Sequence, residues 1–217
     1  MMCISKWSPL WRRKAVLILL VCVSAALGGC SILPQKKPLE VFVLSSRAAA
    51  VDVPPTRAIL SIQQPNSSGM LSSANIVVMP RSHQLNAYKG VRWDAPLPLV
   101  LQEYLLRNFR SVPLFKAVVD GDTRVKADYH LVTDLLAFHS SYIGTPAGGN
   151  PRIEVEVDAR LIDAGSRTIV AQRRFSLTQP CNSAQVEDVV AAFNRAAAHL
   201  SNKMLEWSAR SIAQQEQ

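Results

Sequence analysis

The amino-acid sequence predicts an α/β (α+β) fold in which an antiparallel-rich mixed sheet carries two main helices packed on one of its faces. Three patterns support this prediction. Apolar and charged residues alternate over residues 153–161, which is typical of a strand with one buried face. Apolar residues recur at helical spacing after Pro96 and again over residues 186–207. The length suits one globular domain, predicted over residues 39–210.

Four short strands are predicted ahead of the first helix, because each is an apolar run bounded by turn residues. They cover residues 40–44, 58–64, 75–80 and 83–88. Pro54 and Pro55 separate the first two strands, and Arg81-Ser82 joins the last two in a hairpin.

The first helix is predicted over residues 92–109. Asp94 is placed to cap its start, and Pro96 and Pro98 fall in the first turn, where a missing N–H is harmless. An apolar face then follows at helical spacing, formed by Leu97, Leu101, Tyr104, Leu105 and Phe109. We expect this face to pack on the sheet.

The second half of the sheet begins with a short strand over residues 115–120. The next strand, over residues 128–142, has apolar residues on both faces and is therefore expected to be central. A flexible loop over residues 144–151 separates it from the clearest hairpin.

That hairpin turns at Asp-Ala-Gly-Ser-Arg and is predicted to pair around the glycine. This register places Val155 opposite Phe175 on the core face and Glu156 opposite Arg174 on the other face. It also places Arg173 on the apolar face, which suits a position at the sheet edge or a side chain that reaches out to solvent.

The last helix is predicted from Asn182 and Gln185, whose spacing matches a capping box. Its apolar stripe consists of Val186, Val189, Val190, Phe193, Ala197, Leu200, Met204 and Trp207. We expect this stripe to pack on the sheet; the alternative is a coil that binds a partner. Residues 211–217 are predicted to be a polar tail.

Residues 1–29 have the composition of a secretory signal peptide. Four cations precede an uncharged apolar stretch over residues 15–27. That stretch is shorter than the roughly 20 residues of a transmembrane helix. A retained membrane anchor is the alternative, but two glycines and a polar, proline-containing segment follow at once.

Leu27-Gly28-Gly29-Cys30 resembles the bacterial lipobox. The resemblance implies cleavage between Gly29 and Cys30, a diacylglycerol on the Cys30 sulfur, and an acyl chain such as palmitate on the new amine. Residues 30–38 are the predicted lipidated tether. The residue after the lipidated cysteine is Ser31. Aspartate at this position favours retention in the inner membrane, so the resemblance implies an anchor on the periplasmic face of the outer membrane.

Charge and cysteine content limit the class of protein. The net charge is +8, but the four cations of the predicted signal peptide account for half of it, which leaves about +4 after processing. No basic run longer than two residues remains, so nucleic acid is not a predicted partner. Besides Cys30, only Cys181 would remain, and we expect it to be buried or simply tolerated rather than paired between chains.

No catalytic or metal site is predicted, and no cofactor apart from the covalent lipid on Cys30. The chain lacks G-x-S-x-G, H-E-x-x-H, C-x-x-C and a glycine-rich phosphate loop. His130 and His139, nine residues apart on one strand, are expected on opposite faces. His199 is interpreted as structural, so the protein is not expected to be an enzyme.

Tyr88, Arg92 and Trp93 are the candidate partner-binding residues, because tryptophan and arginine are enriched among interface anchors. The alternative interpretation is that Trp93 packs between helix and sheet, with Arg92 covering it.

Residues 91–98, 155–180 and 189–207 together resemble the ABC-type transport auxiliary lipoprotein family, and the resemblance extends from about Leu39 to Trp207. The matching motif residues are Arg92, Trp93, Pro96 and Leu97, then Ala159, Leu161 and Asp163, then Arg173 and Phe175. The chain departs from the family at its first strand, which reads Val-Phe-Val-Leu where Tyr-Tyr-x-Leu is usual.

The resemblance implies a non-enzymatic accessory of an ABC lipid transport system that works between inner and outer membranes. The expected partners are a periplasmic MCE-type protein, to which the lipoprotein would dock, and the outer membrane through the lipid anchor. Two alternatives stay open: a lipid-binding carrier with its own apolar cavity, and a structural envelope lipoprotein that forms homo-oligomers.

Overall fold

A computed structural model describes residues 38–45 and 51–216. The predicted signal peptide, the cleavage site at Gly29 and Cys30, the lipidation site and most of the tether lie outside the described residues. The strands are β1 (Glu40–Phe42), β2 (Ile59–Ile62), β3 (Asn75–Arg81), β4 (Gln84–Trp93), β5 (Ala117–Asp120), β6 (Tyr129–Ser141), β7 (Arg152–Asp163) and β8 (Ile169–Pro180). The helices are α1 (Leu97–Arg110) and α2 (Val186–Gln215).

The strands form one mixed sheet that forks at the long central strand β6. One side of β6 pairs antiparallel with β7 along its length, and β7 pairs in turn with β8. The other side of β6 pairs with β2 near Tyr129 and with β3 near Ser140. β5 flanks β2, whereas β4 and then β1 flank β3. The longest ladders are antiparallel and the shorter pairings of β1, β2 and β5 are parallel, so the predicted antiparallel-rich mixed sheet is confirmed.

Both helices cover the same face of the sheet. The core side of β7, from Ile153 to Leu161 at alternate positions, is at most 1% exposed beneath them. The buried amide of Gln102 in α1 donates to the Ile62 carbonyl of β2 at 3.1 Å. The side chains of Asn108 in α1 and Ser201 in α2 are hydrogen-bonded to each other. The predicted arrangement of two helices on one face is therefore confirmed.

The first helix begins differently from the prediction. Pro96 occupies the N-cap position, and no side chain caps the helix. The predicted cap residue, Asp94, instead uses its backbone N–H to donate to the Phe42 carbonyl at 3.0 Å, which fixes it beside β1. The predicted apolar face is correct, because all five of its residues are at most 1% exposed.

The last helix begins later and ends later than predicted. Gln185 is its N-cap, without a side-chain hydrogen bond, so the predicted capping box is wrong. The Ser183 hydroxyl supports the start instead, because it donates to the Asp188 carboxylate at 2.6 Å and accepts from the Gln185 N–H at 3.1 Å. The helix continues through Gln215, so most of the predicted polar tail is helical.

The β7–β8 hairpin has the predicted faces but not the predicted register. Phe175 lies opposite Val157 rather than Val155, and Arg174 lies opposite Asp158 rather than Glu156. The turn is centred one residue later than predicted, with Arg167 in the left-handed region at φ 59°. Since the resulting shift is two residues, each side chain keeps its face.

A bulge at Leu136 in β6 changes the faces of the two strand histidines, because the β6–β7 register shifts there. His130 pairs with Ile162 and His139 pairs with Glu154, and both partners lie on the face of β7 that points away from the helices. The predicted opposite faces are therefore wrong. At about 3.3 Å per residue, nine residues still separate the two rings far beyond a shared metal ion.

Candidate docking surface

The edge strand β1 presents a row of exposed apolar side chains. Leu39, Val41 and Val43 are 52%, 50% and 55% exposed. They alternate with Phe42, which packs against the core, and with Leu44, which is 2% exposed. Alternate positions of an extended chain share a side, so these three side chains form one apolar row. We call Leu39, Val41 and Val43 the N-terminal apolar row.

The outer edge of β1 is open. β1 pairs in parallel with β4, and no described strand lies on its other side. An open edge leaves backbone N–H and C=O groups free to pair with an added strand. The apolar row therefore lies beside a backbone edge that can also form hydrogen bonds.

Both helices hold the end of this segment in place. The Arg107 guanidinium of α1 donates to the Leu44 carbonyl at 3.1 Å. The Asn194 side chain of α2 accepts from the backbone N–H of Ser45 at 2.7 Å and from its hydroxyl at 2.9 Å. The exposed row is thus attached to a fixed part of the fold.

Arg92 extends the apolar row with a positive charge. It lies directly opposite Val41 in the β1–β4 ladder and is exposed. Cross-strand partners point to the same face, so the Arg92 side chain leaves the sheet on the same face as Val41. Of the predicted partner-binding residues, Arg92 is the one that the structure brings to this surface.

Trp93 faces the opposite way and is only 1% exposed. Its ring packs edge-on against Phe138 and Phe193, with centroid distances of 6.1 and 5.5 Å. The structure therefore places Trp93 in the core, as in the alternative interpretation, and Arg92 lies on the other face rather than over the ring.

Tyr88 is half-buried and lies apart from Arg92. Its hydroxyl is 2.9 Å from the Ser140 hydroxyl at the end of β6. Burial raises the pKa of Tyr88 to about 12, so the phenol is neutral at physiological pH. The β3–β4 register shifts between Tyr88 and Arg92, where Gly90 adopts a left-handed φ of 77°. The two residues therefore have different neighbours.

The sheet face that points away from the helices carries a polar cluster formed by His139, Arg152 and Glu154. Glu154 lies 3.5 Å from the His139 Nε2 and accepts from the Arg152 Nε at 2.9 Å. Burial lowers the pKa of His139, which favours the neutral imidazole.

Cys181 is the cysteine that lies within the described residues, and it is buried, as expected. Burial raises the pKa of its thiol to about 11. A protonated, buried thiol is a poor nucleophile. Cys181 is therefore a core residue of the fold.

The described part of the chain contains no group of three His, Cys, Asp or Glu side chains able to hold a metal ion. No helix within residues 38–45 and 51–216 is long and apolar enough to cross a membrane.

The sequence predicts the first strand but not the exposure of its apolar row. Residues 39–44 contain apolar residues on both sides of the strand, a pattern that is typical of a buried strand. Exposure depends on β1 being at the sheet edge, and nothing in the local sequence specifies that position. The one local signal is proximity to the predicted tether.

Comparison with known proteins supports the fold and the family. A crystal structure of protein XCC0632 from Xanthomonas campestris superimposes with a TM-score of 0.76 and 24% identity, covering 81% of this chain and 98% of that one. A crystal structure described as an uncharacterized protein gives a TM-score of 0.59 and 20% identity, covering 81% and 99%. At sequence identities this low, the structural similarity is evidence for a shared fold alone.

Uncharacterized protein bll6063 of Bradyrhizobium diazoefficiens is 23% identical over 155 residues, which is 71% of this chain. The match covers 40% of that protein, so this chain spans less than half of its length. Residues 42–205, most of the chain, match the family described as ABC-type transport auxiliary lipoprotein component. The chain therefore belongs to the ABC-type transport auxiliary lipoprotein family.

Proposed function

We propose that this protein is a non-enzymatic docking component of an ABC lipid transport system, anchored by lipid on Cys30 to the periplasmic face of the outer membrane. Its proposed partner is an MCE-type periplasmic protein of that system. The observation that carries the proposal is the N-terminal apolar row on the open edge of β1, directly after the predicted tether. Family membership supports the auxiliary role in transport.

The position of the row next to the tether suits a membrane-linked docking site. The ten residue steps from Cys30 to Glu40, where β1 begins, reach at most about 35 Å when fully extended. A lipid on Cys30 would thus hold β1 within that distance of the membrane surface. Confinement raises the effective concentration of the docking surface near a partner that reaches the same membrane.

The size of the row indicates an interface of modest intrinsic affinity. Burying the exposed halves of three aliphatic side chains contributes about 1 kcal/mol each. A micromolar dissociation constant requires about 8 kcal/mol. Hydrogen bonds from a strand added along β1, and a charged contact to Arg92, would add to the binding free energy from the apolar side chains. The lipid anchor would raise the occupancy further by confining the protein near its partner.

The interior favours docking over a carrier role. Within the described residues, the sheet and the helices enclose one cluster of buried apolar side chains, in which the rings of Trp93, Phe138 and Phe193 pack against one another. A carrier that shields an acyl chain needs an apolar cavity of several hundred Å³. The clefts on the surface, by contrast, are lined partly by charged residues.

Capture of the partner from intact envelopes tests the proposal. The lipidated protein is crosslinked, purified, and its partners are identified by mass spectrometry. We expect an MCE-type protein with the wild type, and at least ten-fold less of it with Val41→Asp, because a carboxylate in the apolar row opposes its burial. The matched control is Val125→Asp, at a valine that is 48% exposed in a loop elsewhere.

Equal recovery with Val41→Asp and with the wild type would contradict docking through the row. Recovery of this chain alone, in an amount that Val41→Asp reduces, would mean that the open edge of β1 pairs with a second copy. Thermal melting of both variants should match the wild type, because both side chains are exposed.

A further inference from the structure

A second surface, at the opposite edge of the sheet, carries positive charge next to an aromatic pair. A cleft of about 530 Å³ lies between the edge strand β8 and the C-terminal half of α2. Arg173 lines it from the strand, and Lys203 and Arg210 line it from the helix. We call Arg173, Lys203 and Arg210, together with Trp207, the cationic cleft.

Arg173 contributes a charge that the fold does not neutralise. It lies opposite Ala159, a core position, so its side chain starts on the helix-covered face. Its guanidinium carbon lies 5.2 Å from the centre of the Phe175 ring. β8 is an edge strand, so the charged end still reaches solvent, which accounts for an arginine on the apolar face. Arg173 forms no ion pair with a described residue.

The helix side of the cleft adds further donors on one face of α2. Lys203, Trp207 and Arg210 follow one another at spacings of four and three residues, which places them on one side of the helix. Glu206 pairs with Arg210 at 2.6 Å, so it compensates that arginine. Lys203, like Arg173, has no ion-pair partner among the described residues. The cleft therefore has two uncompensated positive charges.

Glu206 also lines the cleft, but its carboxylate is paired with Arg210, and the rest of the lining suits a polar anion with a small organic part. The Ser211 hydroxyl and the indole N–H of Trp207 are hydrogen-bond donors, and both residues line the cleft. The Trp207 ring packs edge-on against Phe175 at 5.6 Å, which gives the cleft an aromatic wall. Cations and neutral donors beside an aromatic ring are the groups that recognise a phosphate ester.

We propose that the cationic cleft binds the phosphodiester headgroup of an anionic glycerophospholipid. The ligand class follows from two unpaired cations, two neutral donors and an aromatic wall in a cleft of headgroup size. A membrane lipid is the favoured source because the proposed lipid on Cys30 would hold the domain at a bilayer, and in this respect the inference rests on the proposed function. Trp207 beside the cations also suits a membrane interface. The acyl chains would remain outside the cleft.

This proposal is independent of docking through β1. β1 and β8 are terminal strands of the path β1-β4-β3-β6-β7-β8. Five inter-strand spacings of about 4.8 Å separate them. Failure of one proposal therefore leaves the other standing.

The test titrates full-length lipidated protein in maltoside detergent with glycerophosphoglycerol, the deacylated headgroup of phosphatidylglycerol, which does not enter micelles. The readout is tryptophan emission, since Trp207 lines the cleft and Trp93 is buried. We expect a saturable change whose affinity falls at least ten-fold in Arg173→Gln/Lys203→Gln and weakens with salt. The matched control Lys89→Gln/Arg124→Gln removes two exposed cations elsewhere and should change affinity less than two-fold.

Each other outcome overturns the proposal. No saturable change at millimolar headgroup would mean that the cleft binds no phosphodiester. Equal affinity for inorganic phosphate would identify a free phosphate site rather than a lipid site. Cleft-dependent binding of a polyglutamate peptide without binding of the headgroup would identify an acidic protein partner. Partner capture by Arg173→Gln/Lys203→Gln, measured in parallel, keeps this test separate from docking through β1.

Discussion

Arg92 and Trp93 are neighbours in β4 with opposite roles, because successive strand residues point to opposite faces. Trp93 lies in an aromatic cluster with Phe138 and Phe193, and Arg92 lies beside the N-terminal apolar row. Residue type alone predicted that Arg92 and Trp93 contribute to partner binding. It did not separate the two roles, since tryptophan and arginine are common both in cores and at interfaces.

Alanine substitutions should separate the two residues experimentally. Trp93→Ala should lower the free energy of unfolding by about 3–5 kcal/mol, because it leaves a cavity in a packed core. Arg92→Ala should leave the denaturation midpoint almost unchanged and reduce capture of the partner. Chemical denaturation and envelope pull-down measure the two effects. A Trp93→Ala variant with the wild-type free energy of unfolding would contradict the core role of Trp93. An Arg92→Ala variant that unfolds at a clearly lower denaturant concentration would contradict the surface role of Arg92.

Cys181 should be unreactive in the native protein. Burial raises its pKa to about 11 from the usual value of 9.0, so the native thiol keeps its proton between those values while the unfolded thiol loses it. Stability should therefore fall as pH rises through this interval. The aromatic disulfide reagent DTNB should label Cys181 slowly at pH 8 in the native state and rapidly in guanidinium chloride. Rapid native labelling would contradict a buried thiol.

At the scale of the elements, the sequence predicts faces better than it predicts registers and ends. The alternation along β7 gave its core side correctly, because burial of one strand face follows directly from that pattern. The hairpin register differed by two residues, since the turn is centred after Gly165. The bulge at Leu136 and both helix starts depend on tertiary contacts, which local spacing does not specify.

The β7–β8 hairpin provides a matched pair of substitutions on its two faces. Phe175 is 3% exposed and packs against Trp207, whereas the adjacent Arg174 is solvent-facing and donates to the two oxygens of Asp158 at 2.7 and 2.6 Å. Phe175→Ala should cost about 3–5 kcal/mol of unfolding free energy. Arg174→Ala should cost far less, because water screens exposed ion pairs. Similar losses in thermal denaturation would contradict the assignment of the faces.

At the scale of the whole molecule, the two surfaces lie at opposite edges of one sheet. The edge at β1 follows the predicted tether and carries the apolar row with Arg92, while the edge at β8 carries the cationic cleft. The predicted lipobox, Leu27 to Cys30, lies outside the described residues and stays a prediction. Sequence reasoning singled out Arg92, because it belongs to a local motif. It did not find either surface as a whole, since each joins residues that are distant in the chain and exposed only through the order of the strands.

The central claim, that β1 docks to a transport partner, is tested most directly by photo-crosslinking from the apolar row. A photoreactive benzoylphenylalanine replaces Val41 in the lipidated protein, and intact envelopes are irradiated before mass spectrometry. The same replacement at Val125 is the control. We expect a covalent adduct with an MCE-type periplasmic protein from position 41 and none from position 125. No such adduct from position 41, or an equal yield from both positions, would contradict this claim.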